Sequence, residues 1–210
     1  MFKLLNGLYY SEHQLALNHD KILQEVIMAK VKDDVPGGQE NYSHYPKDHT
    51  FYEDSNMYPH TSKAVLAAIQ KELVTVFGDD DYWSTDEDDI WGHIVEPGQQ
   101  TTIHNHSHGY LRDSVSLSFA YYPNHPKNSG NIIFQTQVNT NQYQAEVVPR
   151  KGMAIIFDSE MWHHCPVNCS TYTRVSISGN VLATEKMIDI LERDEKCENP
   201  YWKYSGKNDI

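Results

Sequence analysis

The chain has 210 residues, a formal net charge of -12 and 39% hydrophobic residues, including 14 tyrosines and four tryptophans. This is enough apolar material for one domain with a full core, and it argues against a disordered chain. The acidic balance argues against a phosphate-binding surface, so neither nucleic acid nor an anionic membrane is an expected partner.

In chain order, Ser11-Glu-His-Gln14 matches a helix capping box, and Leu15, Ile22, Val26 and Ala29 follow at near-helical spacing, which predicts a helix to about Val31. Residues 33 to 58 are polar, aromatic and punctuated by Pro36-Gly37-Gly38 and Pro46, the composition of a long surface loop. Thr61 or Ser62 caps a second predicted helix with Val65, Ile69, Leu73 and Val76 on one face, ending at Gly78. Carboxylates crowd the stretch from Asp79 to Asp89, but Trp83 and Ile90 break the alternation of oxygen ligands that a calcium loop needs, so the expectation is a solvated acidic loop.

After residue 90 the texture changes to short strands: 91–95, 103–108, 114–122, 131–135, 143–148, 153–157 and 174–181. Pro, Gly and Asn turn signals separate them, at 97–98, 123–130, 139–141 and 149–152, the pattern of an antiparallel sandwich or barrel. Residues 185–193 read as a C-terminal helix and 197–210 as a polar, aromatic tail. The expectation is one domain over 1–210: a helical N-terminal part to about residue 78, a β core over about 90–182, and a helix and tail over 183–210.

His104 and His106 stand at i and i+2 of a predicted strand, which projects both imidazoles from one face. His163 or His164 supplies a third ligand, since both follow an apolar run. Neutral imidazole suits Fe, Zn, Cu or Ni, and three protein ligands leave positions open, as catalytic sites require. Downstream, Arg174, Ser176, Ser178 and Asn180 alternate with Val175, Ile177 and Gly179. A guanidinium with a hydroxyl one pleat away is a carboxylate-binding arrangement. Cys165, Cys169 and Cys197 are an odd number without framework spacing, and no basic segment followed by an apolar one opens the sequence. A reducing, intracellular compartment is expected. The Cys165 and Cys169 pair, lacking a second pair, reads as ordinary thiols.

These pieces, with Ser118-Phe-Ala-Tyr-Tyr122, Ser129-Gly130 and Gly152 through Phe157-Asp-Ser159, resemble the iron(II)- and 2-oxoglutarate-dependent oxygenases over about residues 90 to 182. They are most similar to a subgroup with a His-Asn-His motif, many members of which are phage or bacterial. The resemblance implies a mainly β protein with flanking helices, its core a double-stranded β-helix, or jelly-roll, of cupin-like form. It implies Fe(II) held by His104, His106 and His163, with the distal carboxylate of the cosubstrate 2-oxoglutarate on Arg174 and Ser176. Consumption of O2 and the keto acid, with release of succinate and CO2, then oxidises a C–H bond. Hydroxylation of a peptidyl side chain or small metabolite is the implied outcome, in the cytoplasm, or the host cytoplasm for a phage-encoded chain.

The sequence departs from the wider family in three places. His106 stands where a carboxylate ligand is usual, which leaves the site about one unit more positive. Residues 108 to 113 are extra, and Asp113 among them is a further carboxylate. Phe119 replaces the usual glycine, which predicts a narrowed cavity. Two other functions start from the same features. Gly98 followed by His-x-His opens a cupin motif, whose enzymes need no keto acid, but Tyr110 and Leu111 replace the expected glutamate and Arg174 is left unexplained. A non-enzymatic jelly-roll, serving as a binding or virion module, is compatible with the fold alone.

Overall fold

The computed structural model describes residues 2–5, 8–32, 61–106, 116–138 and 141–194. The predicted loop over 33–58, the C-terminal tail, His108 and Asp113 lie outside these. Two antiparallel sheets form the body. The larger is ordered β1-β2-β8-β5-β10-β3, from strands β1 (Phe2–Leu5), β2 (Leu8–Gln14), β3 (Trp83–Val95), β5 (Ser116–Tyr122), β8 (Met153–Asp158) and β10 (Arg174–Ala183). The smaller is ordered β4-β9-β6-β7, from β4 (Thr101–His104), β6 (Ile132–Val138), β7 (Asn141–Val147) and β9 (Trp162–Cys165). The described residues also form helices α1 (His19–Lys32), α2 (Thr61–Phe77) and α3 (Glu185–Asp194).

Residues of alternating parity in the large sheet enter two separate cores, as a two-residue side-chain period requires. Leu117, Phe119, Tyr121, Ala154, Ile156, Val175 and Ile177 pack with Ile22, Val26, Val65, Ile69 and Leu73 of the helices. Ala120, Tyr122, Met153, Ile155 and Phe157 turn the other way and meet Ile132, Phe134 and Val147 of the small sheet. Helices thus brace one face, and the space between the sheets is the interior of the jelly-roll.

The capping-box signal at Ser11 is overridden. Residues 8–14 form β2, paired with β8 from Tyr10↔Phe157 to Gln14↔Met153. Tyr9 enters the core beneath the helices while Tyr10 stacks on Phe134 in the other, so the alternating aromatics bury on both faces only as a strand. The helix starts instead at His19, where the Asn18 side chain accepts the Lys21 N–H at 3.1 Å. His13, on the helix-facing side of β2, sits 2.8 Å from Ser11 Oγ and 2.9 Å from Glu72 of α2 and ties strand to helix. The N-terminal part is therefore not wholly helical, because its strands complete the large sheet.

The acidic stretch is also structured. Only residues 79–82 are turn and bend, whereas 83–89 lie within β3, with Trp83 buried. Asp79 is tied to Lys186 of α3 at 2.6 Å. Phe119 does not narrow the interior. It faces the helices, so the space opposite is left to its neighbours Ser118 and Ala120.

Candidate metal centre

The two sheets bring the histidine-bearing strands together at one end of the interior. His104 ends β4 directly opposite His163 of β9, and the His106 N–H donates to the Ser159 carbonyl at 2.9 Å just beyond the strand. One ligating atom from each of His104, His106 and His163 lies within 4.8 Å of the others. Ring centroids are 4.3 Å apart for His104 and His163, 5.0 Å for His106 and His163 and 5.3 Å for His104 and His106. His164 points to the opposite face of β9, half-buried, with its Nδ1 3.5 Å from Gln135 Nε2. Strand alternation thus separates two adjacent histidines that the sequence leaves as alternatives.

Each ring is anchored through Nδ1: His104 to the Thr102 carbonyl at 2.8 Å, His163 to the Met161 carbonyl at 2.9 Å, and His106 to Asn180 Oδ1 at 2.9 Å. All three partners are acceptors, so Nδ1 carries the proton and Nε2 is left as the ligating atom. Burial, followed by the neighbouring imidazoles, holds His106 well below the ordinary histidine range. Burial, and then His104, pushes His163 down to about 3. Both are neutral at physiological pH, the form a metal requires. Phe157 packs on His163 with centroids 4.8 Å apart, and Trp91 on His106 at 5.3 Å, which shields the cluster.

Nitrogens bound to one ion at about 2.1 Å stand no more than about 4.2 Å apart. Small side-chain rotations bring this cluster into that range, so the donor set fits a divalent transition metal. Cys165 is buried and Cys169 exposed, and neither belongs to the cluster. Asp79, Asp80 and Asp81 also approach one another, at the surface.

Arg174 begins β10 and is 1% exposed. Its Nη1 donates to the Ser129 carbonyl at 2.7 Å and the Gly130 carbonyl at 3.0 Å, and its Nη2 to Thr101 Oγ1 at 3.1 Å. Nε is buried without an acceptor. Among the described residues no carboxylate pairs with this cation. The Nε and Nη2 edge is the side of a guanidinium that takes a carboxylate with two hydrogen bonds, so the residues fit the distal carboxylate of a keto diacid. Ser176 follows on the same strand face, buried, opposite His93 of β3. Burial raises the hydroxyl of Tyr122 well above its ordinary range, and the Cys165 thiol and the Arg174 charge lie beside it.

Several participants escape the sequence reading. Asn180 is legible as the last member of the polar face of β10, but its bond to His106 is not. Ser118 and Ser159, whose hydroxyls are 2.8 Å apart, bury beside it. Asp89 reaches Asn180 across 91 positions of sequence, a separation no local pattern bridges. Thr101 is one strand-length before the histidines, with nothing to distinguish it from Thr102.

Comparison with known proteins agrees with this geometry. Residues 89–180 match the family described as "Putative 2OG-Fe(II) oxygenase". No curated protein matches. Among solved structures, the non-heme alpha-ketoglutarate-dependent carbocyclase SnoK from nogalamycin biosynthesis aligns with TM-score 0.60 at 12% identity, over 82% of this chain and 79% of that one. A prolyl hydroxylase from Trichoplax adhaerens, in complex with a hypoxia inducible factor peptide fragment, aligns with TM-score 0.53 at 14% identity, over 86% of each chain. A Pseudomonas putida prolyl-4-hydroxylase aligns with TM-score 0.50 at 12% identity, over 84% and 92%. At such identities the structures establish a shared fold, the double-stranded β-helix.

Proposed function

We propose that this chain, whose residues 89–180 match the family described as "Putative 2OG-Fe(II) oxygenase", is such an oxygenase and hydroxylates a peptidyl side chain or a small metabolite, with His104, His106 and His163 as metal ligands and Arg174 and Ser176 as the cosubstrate clamp. The cofactors of the family are Fe(II) and 2-oxoglutarate; when bound they would let O2, the oxidant, be spent half on the keto acid, giving succinate and CO2, and half on a C–H bond. The carrying observation is the convergence of three imidazoles, each with Nδ1 anchored to an acceptor.

What the protein contributes is binding, orientation and exclusion of water. Three neutral imidazoles leave the full charge of a divalent ion for the dianionic keto acid to balance. Arg174, held by two carbonyls and Thr101, presents its remaining edge without having to reorganise. Phe134, Phe157 and Met161 surround the buried side of the cluster and keep it dry. No side chain has to act as a general base. Among the described residues no helix is long and apolar enough to cross a membrane.

The test is anaerobic addition of Fe(II) and then 2-oxoglutarate, watched for the visible charge-transfer band of the chelate, followed by O2 and assay of succinate. A band and stoichiometric succinate are expected. Metal binding with no response to the keto acid would favour a cupin-type enzyme instead.

A further inference from the structure

We infer that Asp89 is a positioning residue for the metal centre: through the Asn180 amide it fixes His106 in the Nδ1–H tautomer and so commits Nε2 to the ion. The inference rests on the reading of His106 as a ligand, and it concerns a residue that does not itself reach the metal site.

The three histidines differ in what holds them. His104 and His163 face backbone carbonyls of Thr102 and Met161, which accept only and cannot turn around. His106 faces a side-chain amide, which offers an acceptor at one end and a donor at the other. Turned one way, Asn180 demands a proton on Nδ1; turned the other way, it would donate to Nδ1 and move the ring proton to Nε2, blocking ligation. Something must choose. Asn180 Nδ2 lies 3.1 and 3.0 Å from the two oxygens of Asp89, and an ionised carboxylate accepts only. The amide nitrogen must therefore face Asp89, which leaves Oδ1 for His106 at 2.9 Å. Ser118 Oγ, 2.7 Å from the same Oδ1, cannot impose this choice, because its hydroxyl can rotate toward Ser159 Oγ at 2.8 Å.

The backbone is shaped to deliver Asp89. Gly179 pairs with Ile90 and Val181 with Thr85, so two steps along β10 are matched by five along β3, and Asn180 stands in the middle of the irregularity. Such bulges re-aim side chains beside active sites. Gly179 permits the approach: a Cβ there would come 2.6 Å from the Asp89 carbonyl oxygen and 2.7 Å from the Phe119 ring. The result is a negative charge one side chain removed from a ligand set that is itself uncharged.

The experiment reads histidine tautomers directly, from two-bond 1H–15N correlations on the metal-free, 15N-labelled full chain, with His106 assigned through His106→Gln. Fe(II) affinity is measured alongside. Wild type should show His106 as Nδ1–H. Asp89→Asn, nearly isosteric, should release the amide, populate Nε2–H at His106 alone, and weaken Fe(II) binding about 10- to 100-fold, the range for losing an outer partner of a metal ligand. The exchange Asp89→Asn with Asn180→Asp puts an acceptor-only carboxylate against His106 and an amide behind it; it should restore Nδ1–H and recover most of the affinity. An unchanged His106 tautomer in Asp89→Asn overturns the inference, whether or not affinity falls, and so does an exchange variant that folds but does not recover. A wild-type chain that binds no Fe(II) overturns the ligand reading itself, a separate result because the tautomers are read without metal.

Discussion

Arg174 carries two jobs, and its replacement should separate them. Its Nη1 satisfies the carbonyls of Ser129 and Gly130, whereas Nε and Nη2 form the proposed cosubstrate edge. In Arg174→Ala the buried Ser129 carbonyl loses its donor, at about 1–3 kcal/mol in folding stability, whereas the half-buried Gly130 carbonyl keeps His125 Nε2 at 3.1 Å. Two charge-assisted bonds to a carboxylate are lost as well, and a buried partner left unpaired makes the binding cost about 2–4 kcal/mol. At 1.36 kcal/mol per decade, that is a rise of roughly 30- to 1000-fold in the 2-oxoglutarate dissociation constant. Arg174→Lys keeps the charge but not the fork, so its penalty should be smaller than that of alanine. The assay is titration of the anaerobic Fe(II) form with 2-oxoglutarate at the visible band, beside a denaturant melt and an Fe(II) titration. Iron affinity should largely survive. A folded Arg174→Ala variant whose keto-acid affinity matches wild type would refute the clamp and leave Arg174 a brace for the turn at Ser129-Gly130.

His106→Asp should keep metal and lower the charge of the site by about one unit, since Asp is ionised at neutral pH, whereas His163→Ala should sharply reduce occupancy; metal content and succinate yield on both variants check the ordering. Burial raises the Asp158 carboxyl from 3.8 to about 6, against the opposing Glu160 N–H bond, so between those values the native state holds more proton than the unfolded chain. Stability from this group is therefore complete below about pH 4 and lost as pH rises through 6; Asp158→Asn should gain about 1–2 kcal/mol at pH 7 and nothing at pH 4, measured by urea denaturation. Gly130, at φ +89°, would place a Cβ 2.4 Å from the Pro166 carbonyl and 2.9 Å from Arg174 Nη1, so Gly130→Ala should lose more than the roughly 1–2 kcal/mol of its backbone conformation and weaken 2-oxoglutarate binding with it.

How much was legible depended on whether the signal was local. The seven expected strands after residue 90 all correspond to strands, because each is a short run rich in β-branched, aromatic or other apolar residues set off by Pro, Gly or Asn turn signals. His104, His106 and His163 do lie near one another, but β4 ends at His104 and His106 stands beyond it, so the i and i+2 geometry of a strand is not what brings that pair together. β2 was misread because Ser11-Glu-His-Gln14 satisfies a helix rule locally while Tyr9 and Tyr10 are committed to two different cores, and those cores exist only after the sheet has formed. β9 was too short to register, although its alternation is what separates His163 from His164.

Phe119 shows the same limit from the other side. A large residue in place of a glycine implied a smaller cavity, but size says nothing about direction, and one position of register decides which face of β5 it occupies. It fills the helix-side core against Gly179, a small residue placed where a large neighbour has arrived. That exchange of volumes lies directly behind Asn180 and Asp89, so the glycine missing from β5 and the glycine present in β10 belong to one packing solution that also lets the Asp89 backbone approach. The network behind His106 is consequently invisible in any single motif: it needs a residue from the strand opening the core, one from the strand closing it, and an irregular register between them. What the sequence can show is the row of ligand candidates; which nitrogen of each ring is available for a metal is decided by residues that meet only in the folded chain.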